Sequence, residues 1–136
     1  EVRFIIIGGI AVMLNGFART TIDVDILVEN SPDNIARLLR SLARFGEGHA
    51  RQLSIADFAD AEGAVRIIEE FPLDVFTLLQ GKRYGGWMNS VKRIRIGDAE
   101  LAYLSAEALI AIKRDSHREI DRIDVSALRA AQQTRG

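Results

Sequence analysis

Asp23 and Asp25 stand two residues apart in residues 19–28, Arg-Thr-Thr-Ile-Asp-Val-Asp-Ile-Leu-Val. Read with the period of a strand, Arg19, Thr21, Asp23 and Asp25 project from one side, and Thr20, Ile22, Val24 and Ile26 from the other. Carboxylates at i and i+2 lie roughly 6.5 to 7 Å apart at Cα, so their oxygens can converge on one divalent cation or a close pair. Oxygen ligands of this kind suit Mg²⁺ or Mn²⁺. Standing alone, an Asp-x-Asp reads equally well as the solvated face of an edge strand. Two further features accompany this one. Gly8-Gly9 joins an apolar run to a helical segment, where backbone N–H groups can approach a phosphate; a tight turn is the simpler reading of the pair. Asp74 sits within Leu-Asp-Val-Phe-Thr-Leu, residues 73–78, where a buried charge is costly unless it is paired or ligates a metal.

Taken together, Gly8-Gly9, Arg19-x-Thr21-x-Asp23-x-Asp25 and Asp74 resemble the nucleotidyltransferase core of the DNA polymerase beta-like superfamily. That core runs Gly-Gly or Gly-Ser, then Asp-x-Asp or Asp-x-Glu on the next strand, then a third acid on a neighbouring strand. The pattern is most similar to the minimal bacterial nucleotidyltransferases grouped with the AbiEii toxins, over nearly the whole chain. Ser105-x-Glu107-x-Leu109-Ile110-x-x-Lys113, followed by Arg118-x-x-Asp121-x-x-Asp124-x-x-x-Leu128, looks like their C-terminal motif. In that motif a helical lysine faces the nucleotide phosphates. The chain departs from it at Ile120, where a lysine is common, which leaves Lys113 as the phosphate ligand.

The resemblance implies transfer of a nucleoside monophosphate from an NTP, ATP among the candidates, to an RNA, tRNA included, or to a protein. It also implies the toxin of a toxin-antitoxin module, with an antitoxin partner. Asp23, Asp25 and Asp74 are then the catalytic and metal-binding residues, and Gly8, Gly9, Arg19, Lys113 and Asp121 the nucleotide-binding ones. Two ions about 3.5 to 4 Å apart serve such a site. Arg19 is either a second cation for the triphosphate or the partner that orients Asp23. Thr21 reads as a β-branched strand former. Two other classes stay open: a non-catalytic nucleotide-binding domain, and an Asp-x-Asp glycosyltransferase. Against the latter stand the short chain and the glycine pair preceding the acids.

The elements that must position these residues follow in order. Residues 2–7 read as a strand, 9–15 as a helix stopped by Asn15-Gly16, and 20–28 as the organising strand. Ser31 or Asn30 caps a helix with Pro32 and Asp33 in its first turn and an apolar stripe of Ile35, Leu38, Leu39 and Leu42, ending near Phe45-Gly46. Residues 54–59 read as one helical turn. Residues 64–68 and 73–79 are strands joined by a hairpin around Glu70-Phe71-Pro72. Residues 80–86 are a loop, and 91–96 and 99–103 a hairpin turning at Gly97-Asp98. Helices over 106–114 and from Arg118 or Glu119 to near Gln132 close the chain. The expectation is one α/β (α+β) domain over residues 1–136, a mixed β-sheet flanked by helices with a helical C-terminal end.

Composition bounds the rest. The chain has 136 residues, 48% of them hydrophobic, and a net charge of −1, enough for a core and too neutral for global attraction to nucleic acid. Cysteine is absent, which excludes disulfides, thiol catalysis and a cysteine zinc site. With no signal-like or membrane-spanning stretch, a cytoplasmic protein without a membrane partner is expected. The numbering opens at Glu1 without a methionine, so further native N-terminal residues are expected. His49 and His117 read as exposed or capping residues. Tyr84 and Trp87 read as packing of a loop onto the sheet, with stacking on a base the alternative. Lys82, Arg83, Lys92, Arg93 and Arg95 form the densest basic stretch, either a guide for RNA or a charged edge strand.

Overall fold

The computed structural model describes residues 2–18 and 20–135. Six strands form one sheet in the order β3-β4-β2-β1-β6-β5. They are β1 (Phe4–Ile7), β2 (Val24–Val28), β3 (Val65–Ile68), β4 (Pro72–Phe76), β5 (Val91–Ile96) and β6 (Ala99–Leu104). β1 runs antiparallel to β2 and parallel to β6, β2 runs parallel to β4, and the two outer strands close antiparallel hairpins with β4 and β6. The helices are α1 (Gly8–Leu14), α2 (Pro32–Leu42), α3 (Tyr84–Trp87), α4 (Ala106–Lys113) and α5 (Glu119–Arg135). This is the expected α/β architecture with a mixed sheet and a helical C-terminal end.

Pairing register divides the sheet into two faces. Ile6, Ile26 and Val75 lie side by side on one, above the apolar stripe of α2, where Ile35 and Leu38 are buried. Ser31 caps α2 by accepting the Asn34 N–H, as its sequence predicts. The buried Asn34 amide then bonds Arg3 N, Arg3 O and Glu29 O, tying the start of α2 to β1 and to the chain leaving β2. Ile5, Leu27 and Leu104 are fully buried, and Leu109 and Leu128 bring α4 and α5 into the same core. At the end of α1 the Asn15 amide donates to Ala11 O and Leu104 O, each at 2.8 Å, and so pins α1 to β6.

Several boundaries differ from expectation, β4 ending at Phe76 instead of residue 79 and α2 at Leu42 instead of near Phe45, and two of the differences have reasons in hydrogen bonding. The organising strand begins at Val24 and not at residue 20, because β1 offers no partners beyond Ile7, which pairs with Asp25. Residues 20–23 therefore lie off the ladder, and Ile22 is 73% exposed instead of sharing the apolar side. The loop over 80–86 contains the start of α3, whose Trp87 is buried and donates its indole N–H to Leu79 O at 3.1 Å, so packing and not stacking holds this aromatic. No helix among the described residues is long and apolar enough to cross a membrane.

Candidate active site

Ile7, Asp25, Asp74 and Arg66 form one cross-strand row over β1, β2, β4 and β3. Adjacent strands lie about 4.8 Å apart, so neighbouring side chains in the row touch. Arg66 Nε and Nη2 donate to the two oxygens of Asp74 at 2.8 and 2.9 Å, and Nη2 also reaches Asp23 Oδ2 at 3.5 Å. The guanidinium fork matches the carboxylate geometry, which gives the pair its direction as well as its energy. Asp25 and Asp74 share a hydrogen bond in turn. Four chemically active side chains thus occupy one patch, although Asp23 reaches it from the irregular segment before β2 and not from the strand itself.

Electrostatics separates the acids. Burial, and then the charge and hydrogen bond of Asp74 and the charge of Asp23, push the Asp25 carboxyl up to about 6. The hydrogen bonds from Arg66 hold Asp74 below the ordinary carboxylate range. Protonated, Asp25 donates to the ionised Asp74. Three carboxylates share one guanidinium, and this surplus of negative charge adds to burial in driving Asp25 toward protonation. An all-oxygen donor set with charge in surplus fits a hard divalent ion such as Mg²⁺ or Mn²⁺.

Gly8 is the wall against Asp25. It has φ +65, and a Cβ placed there would come within 2.2 Å of Asp25 Oδ2. A side chain at this position would meet both a disfavoured backbone conformation and the carboxylate. Gly9 is buried in the first turn of α1, a turn with no side-chain cap and no acid. Beside Gly8 and Asp25 opens a cleft of about 520 Å³, bounded on the far side by Lys113, Ser116, Arg118 and Asp121.

Lys113 does not stand free in that cleft. Its Nζ is 2.7 Å from Asp121 Oδ1 and 3.2 Å from Asp124 Oδ2, and Ser116 Oγ donates to Asp121 Oδ2 at 2.7 Å. Burial pushes Asp121 up, but the bonds from Lys113 and Ser116 outweigh it and hold the carboxyl low. Asp121 is thus bound first of all to the lysine it accompanies in sequence. Arg19 lies outside the described residues. Arg66 was not among the residues singled out from the sequence, yet a signal existed: a hairpin turning at residues 69–71 pairs Ile68 with Pro72 and therefore Arg66 with Asp74.

A second group, Glu47, His49 and Glu69, has its ligand atoms within 4.8 Å of one another. It shares no residue with the cleft. Glu69 accepts the N–H groups of Glu47, Gly48 and His49, and His49 Nδ1 lies 2.8 Å from Ile68 O and 3.0 Å from Glu69 Oε1. These bonds clip residues 46–49 onto the end of β3. On the outer strand β5, Arg93 and Arg95 both lie near Glu100 of β6, at 3.7 and 3.9 Å.

The family model described as a nucleotidyltransferase of unknown function (DUF6036) matches residues 1–134. The chain belongs to this family of nucleotidyltransferases. A solved structure, the lincomycin-bound crystal structure of the lincosamide antibiotic adenylyltransferase LnuA, superposes with a TM-score of 0.60 at 18% identity, covering 94% of this chain and 86% of that one. That likeness is one of fold. No curated protein matches the chain. Membership makes the protein a nucleotidyltransferase enzyme and sets aside the glycosyltransferase reading.

Proposed function

We propose that the protein transfers a nucleoside monophosphate from an NTP to a hydroxyl group, with Asp23, Asp25 and Asp74 as the catalytic and metal-holding residues. The observation that carries this reading is the row in which Asp25 lies against Asp74, its carboxyl pushed up to about 6 first by burial and then by Asp74 and Asp23 beside it. Mg²⁺ or Mn²⁺ held by the three carboxylates would neutralise triphosphate charge and activate the acceptor oxygen. The chain's own residues do the rest. The uncapped first turn of α1, at Gly8 and Gly9, offers backbone N–H groups to the triphosphate, and Lys113, steadied by Asp121, faces it across the cleft. The acceptor oxygen bonds to the α-phosphorus, the bond to the β-phosphate oxygen breaks, and pyrophosphate leaves. The hydroxyl proton passes to a carboxylate of the trio, and Arg66 orients both oxygens of Asp74 for that role.

The acceptor we propose first is RNA, tRNA included, or a protein, as in the AbiEii-like toxins, with an antitoxin as partner. A second reading takes a small hydroxylated molecule as acceptor. The relative LnuA is named for an antibiotic substrate, which agrees with this second reading. Incubation with each labelled NTP and total cell extract, resolved into RNA, protein and small-molecule fractions, tests both. The expected result is label in one fraction, pyrophosphate release, and loss of both in Asp25→Asn. Label transfer that persists in Asp25→Asn would defeat the assignment.

A further inference from the structure

Three residues beyond β4, the strand that carries Asp74, the chain makes a turn at Leu79-Gln80-Gly81-Lys82. Leu79 N–H donates to Lys82 O at 2.9 Å and Lys82 N–H to Leu79 O at 3.0 Å, which makes it a two-residue hairpin loop. Both central residues have positive φ, Gln80 at 52° and Gly81 at 74°. This is the type I′ geometry, for which Asn-Gly and Asp-Gly are the favoured pairs because their first residue tolerates the left-handed region. Gln80 is the one residue other than glycine with positive φ among the described residues. Strain of this kind persists only where the surroundings enforce it, and it gathers at ligand sites.

The surroundings do enforce it. Glu62 accepts the N–H groups of Gln80 and Gly81, one on each carboxylate oxygen, at 3.2 and 3.1 Å. Behind the turn, the buried Trp87 donates to Leu79 O, and Lys82 Nζ sits 4.7 Å above its ring. Every one of these braces acts on the backbone or on a neighbour. None uses the Gln80 side chain, which makes no hydrogen bond to another described residue, and Gln80 lines the cleft with Asp25, Gly8 and Lys113. Of the other polar side chains lining the cleft, Lys113 and Ser116 are both bonded to Asp121, and Phe76, Leu79, Leu104 and Leu109 supply its apolar wall. Gln80 alone presents an uncommitted neutral amide, one donor and one acceptor side by side.

Resting on the nucleotidyl-transfer reading, we infer that Gln80 is a specificity-determining residue that reads the nucleobase of the NTP in this cleft and selects adenine. A flat base fits against the hydrocarbon wall. A glutamine amide pairs with adenine through two parallel hydrogen bonds, one to an N–H and one to a ring nitrogen, a contact that typically separates the right base from a wrong one by about ten- to a hundredfold. Retention of glutamine where asparagine suits the turn better is then a cost in stability that selectivity explains.

The test uses the full chain with Mg²⁺ and non-hydrolysable analogues of ATP and GTP, comparing the parent with Gln80→Asn. The variant creates the favoured Asn-Gly turn while withdrawing the amide by one methylene. We expect its urea midpoint to equal or exceed the parent's, ATP-analogue affinity to fall roughly ten- to a hundredfold, GTP-analogue affinity to change little, and inorganic tripolyphosphate binding to stay constant. Equal affinities of the parent for the two analogues, or ATP preference unchanged in Gln80→Asn, would overturn the inference while leaving nucleotidyl transfer standing. If the parent binds no nucleotide and no tripolyphosphate, both fall together.

Discussion

Asp25 is the residue whose chemistry the surrounding chain alters most plainly. Its folded-state value of about 6 lies above the ordinary 3.8, so between these values the native state binds more protons than the unfolded state. Stability must then fall as pH rises through that window. Asp74, Asp121 and Glu69 are shifted the other way, from 3.8, 3.8 and 4.5, so the stability they contribute is lost only as pH falls below those ordinary values. His49 is raised from 6.5 by its bond to Ile68 O and by Glu69, and the stability it contributes disappears only as pH climbs through its raised value. The interval from 4.5 to 6 therefore belongs to Asp25. Urea midpoints measured in EDTA are expected to decline across it, to stay flat in Asp25→Asn, and to recover when Mg²⁺ favours the charged form. A midpoint that rises across this interval in the unmodified protein would contradict the assignment.

Arg66 makes the complementary prediction. Its charge lowers both Asp25 and Asp74, so Arg66→Ala raises both and moves the acid limb of the kcat/KM profile to higher pH. Half of the Arg66 side chain is exposed, and solvent screening keeps the accompanying loss of stability small. A pH profile that stays in place would show that Arg66 only fastens the edge strand.

At the scale of elements, the junction of α4 and α5 depends on Lys113. Its side chain is 14% exposed and faces Asp121 and Asp124, whose side chains are 11% and 0% exposed. Removing the cation leaves two carboxylates in a nearly dry place, and breaking such a buried arrangement from one side costs about 3 to 5 kcal/mol. Lys113→Met, which keeps most of the side-chain volume, is expected to lower the urea-extrapolated stability by that amount. The double variant with Asp121→Asn should recover part of it, since one stranded charge is removed. If Lys113→Met is as stable as the parent, the lysine is free for ligand and the pair is incidental.

For the whole molecule, the layers converge on one cleft between the sheet and the C-terminal helices, so a ligand that spans it should stabilise the fold as a unit. At a hundredfold excess over Kd, linkage contributes about 2.7 kcal/mol, and for a chain of this size that corresponds to a Tm increase of roughly 10 °C. Mg²⁺ with the correct NTP is expected to produce it in a thermal melt. Asp23→Asn with Asp25→Asn should abolish it, and protection retained by that double variant would place the nucleotide elsewhere.

Element types and the acidic motif were legible along the chain because both rest on short-range regularities. Apolar runs marked β1 and β4, Gly97-Asp98 marked the β5–β6 hairpin, Ser31 marked a helix start that it does cap, and Asp-x-Asp after a glycine pair marked the chemistry. What tertiary structure decided was pairing. β2 loses its first four expected residues because β1 has no backbone groups to offer them. Arg66 joins the acids because β3 is in register with β4, Lys113 is committed to Asp121 and Asp124 because α5 folds back on α4, and Gln80 is forced left-handed by Glu62 from a distant turn. A side chain's type and its nearest neighbours in sequence determine which element it favours, but its charge state and its partner are set by groups 8 to 43 residues away that only the folded chain brings within hydrogen-bonding distance.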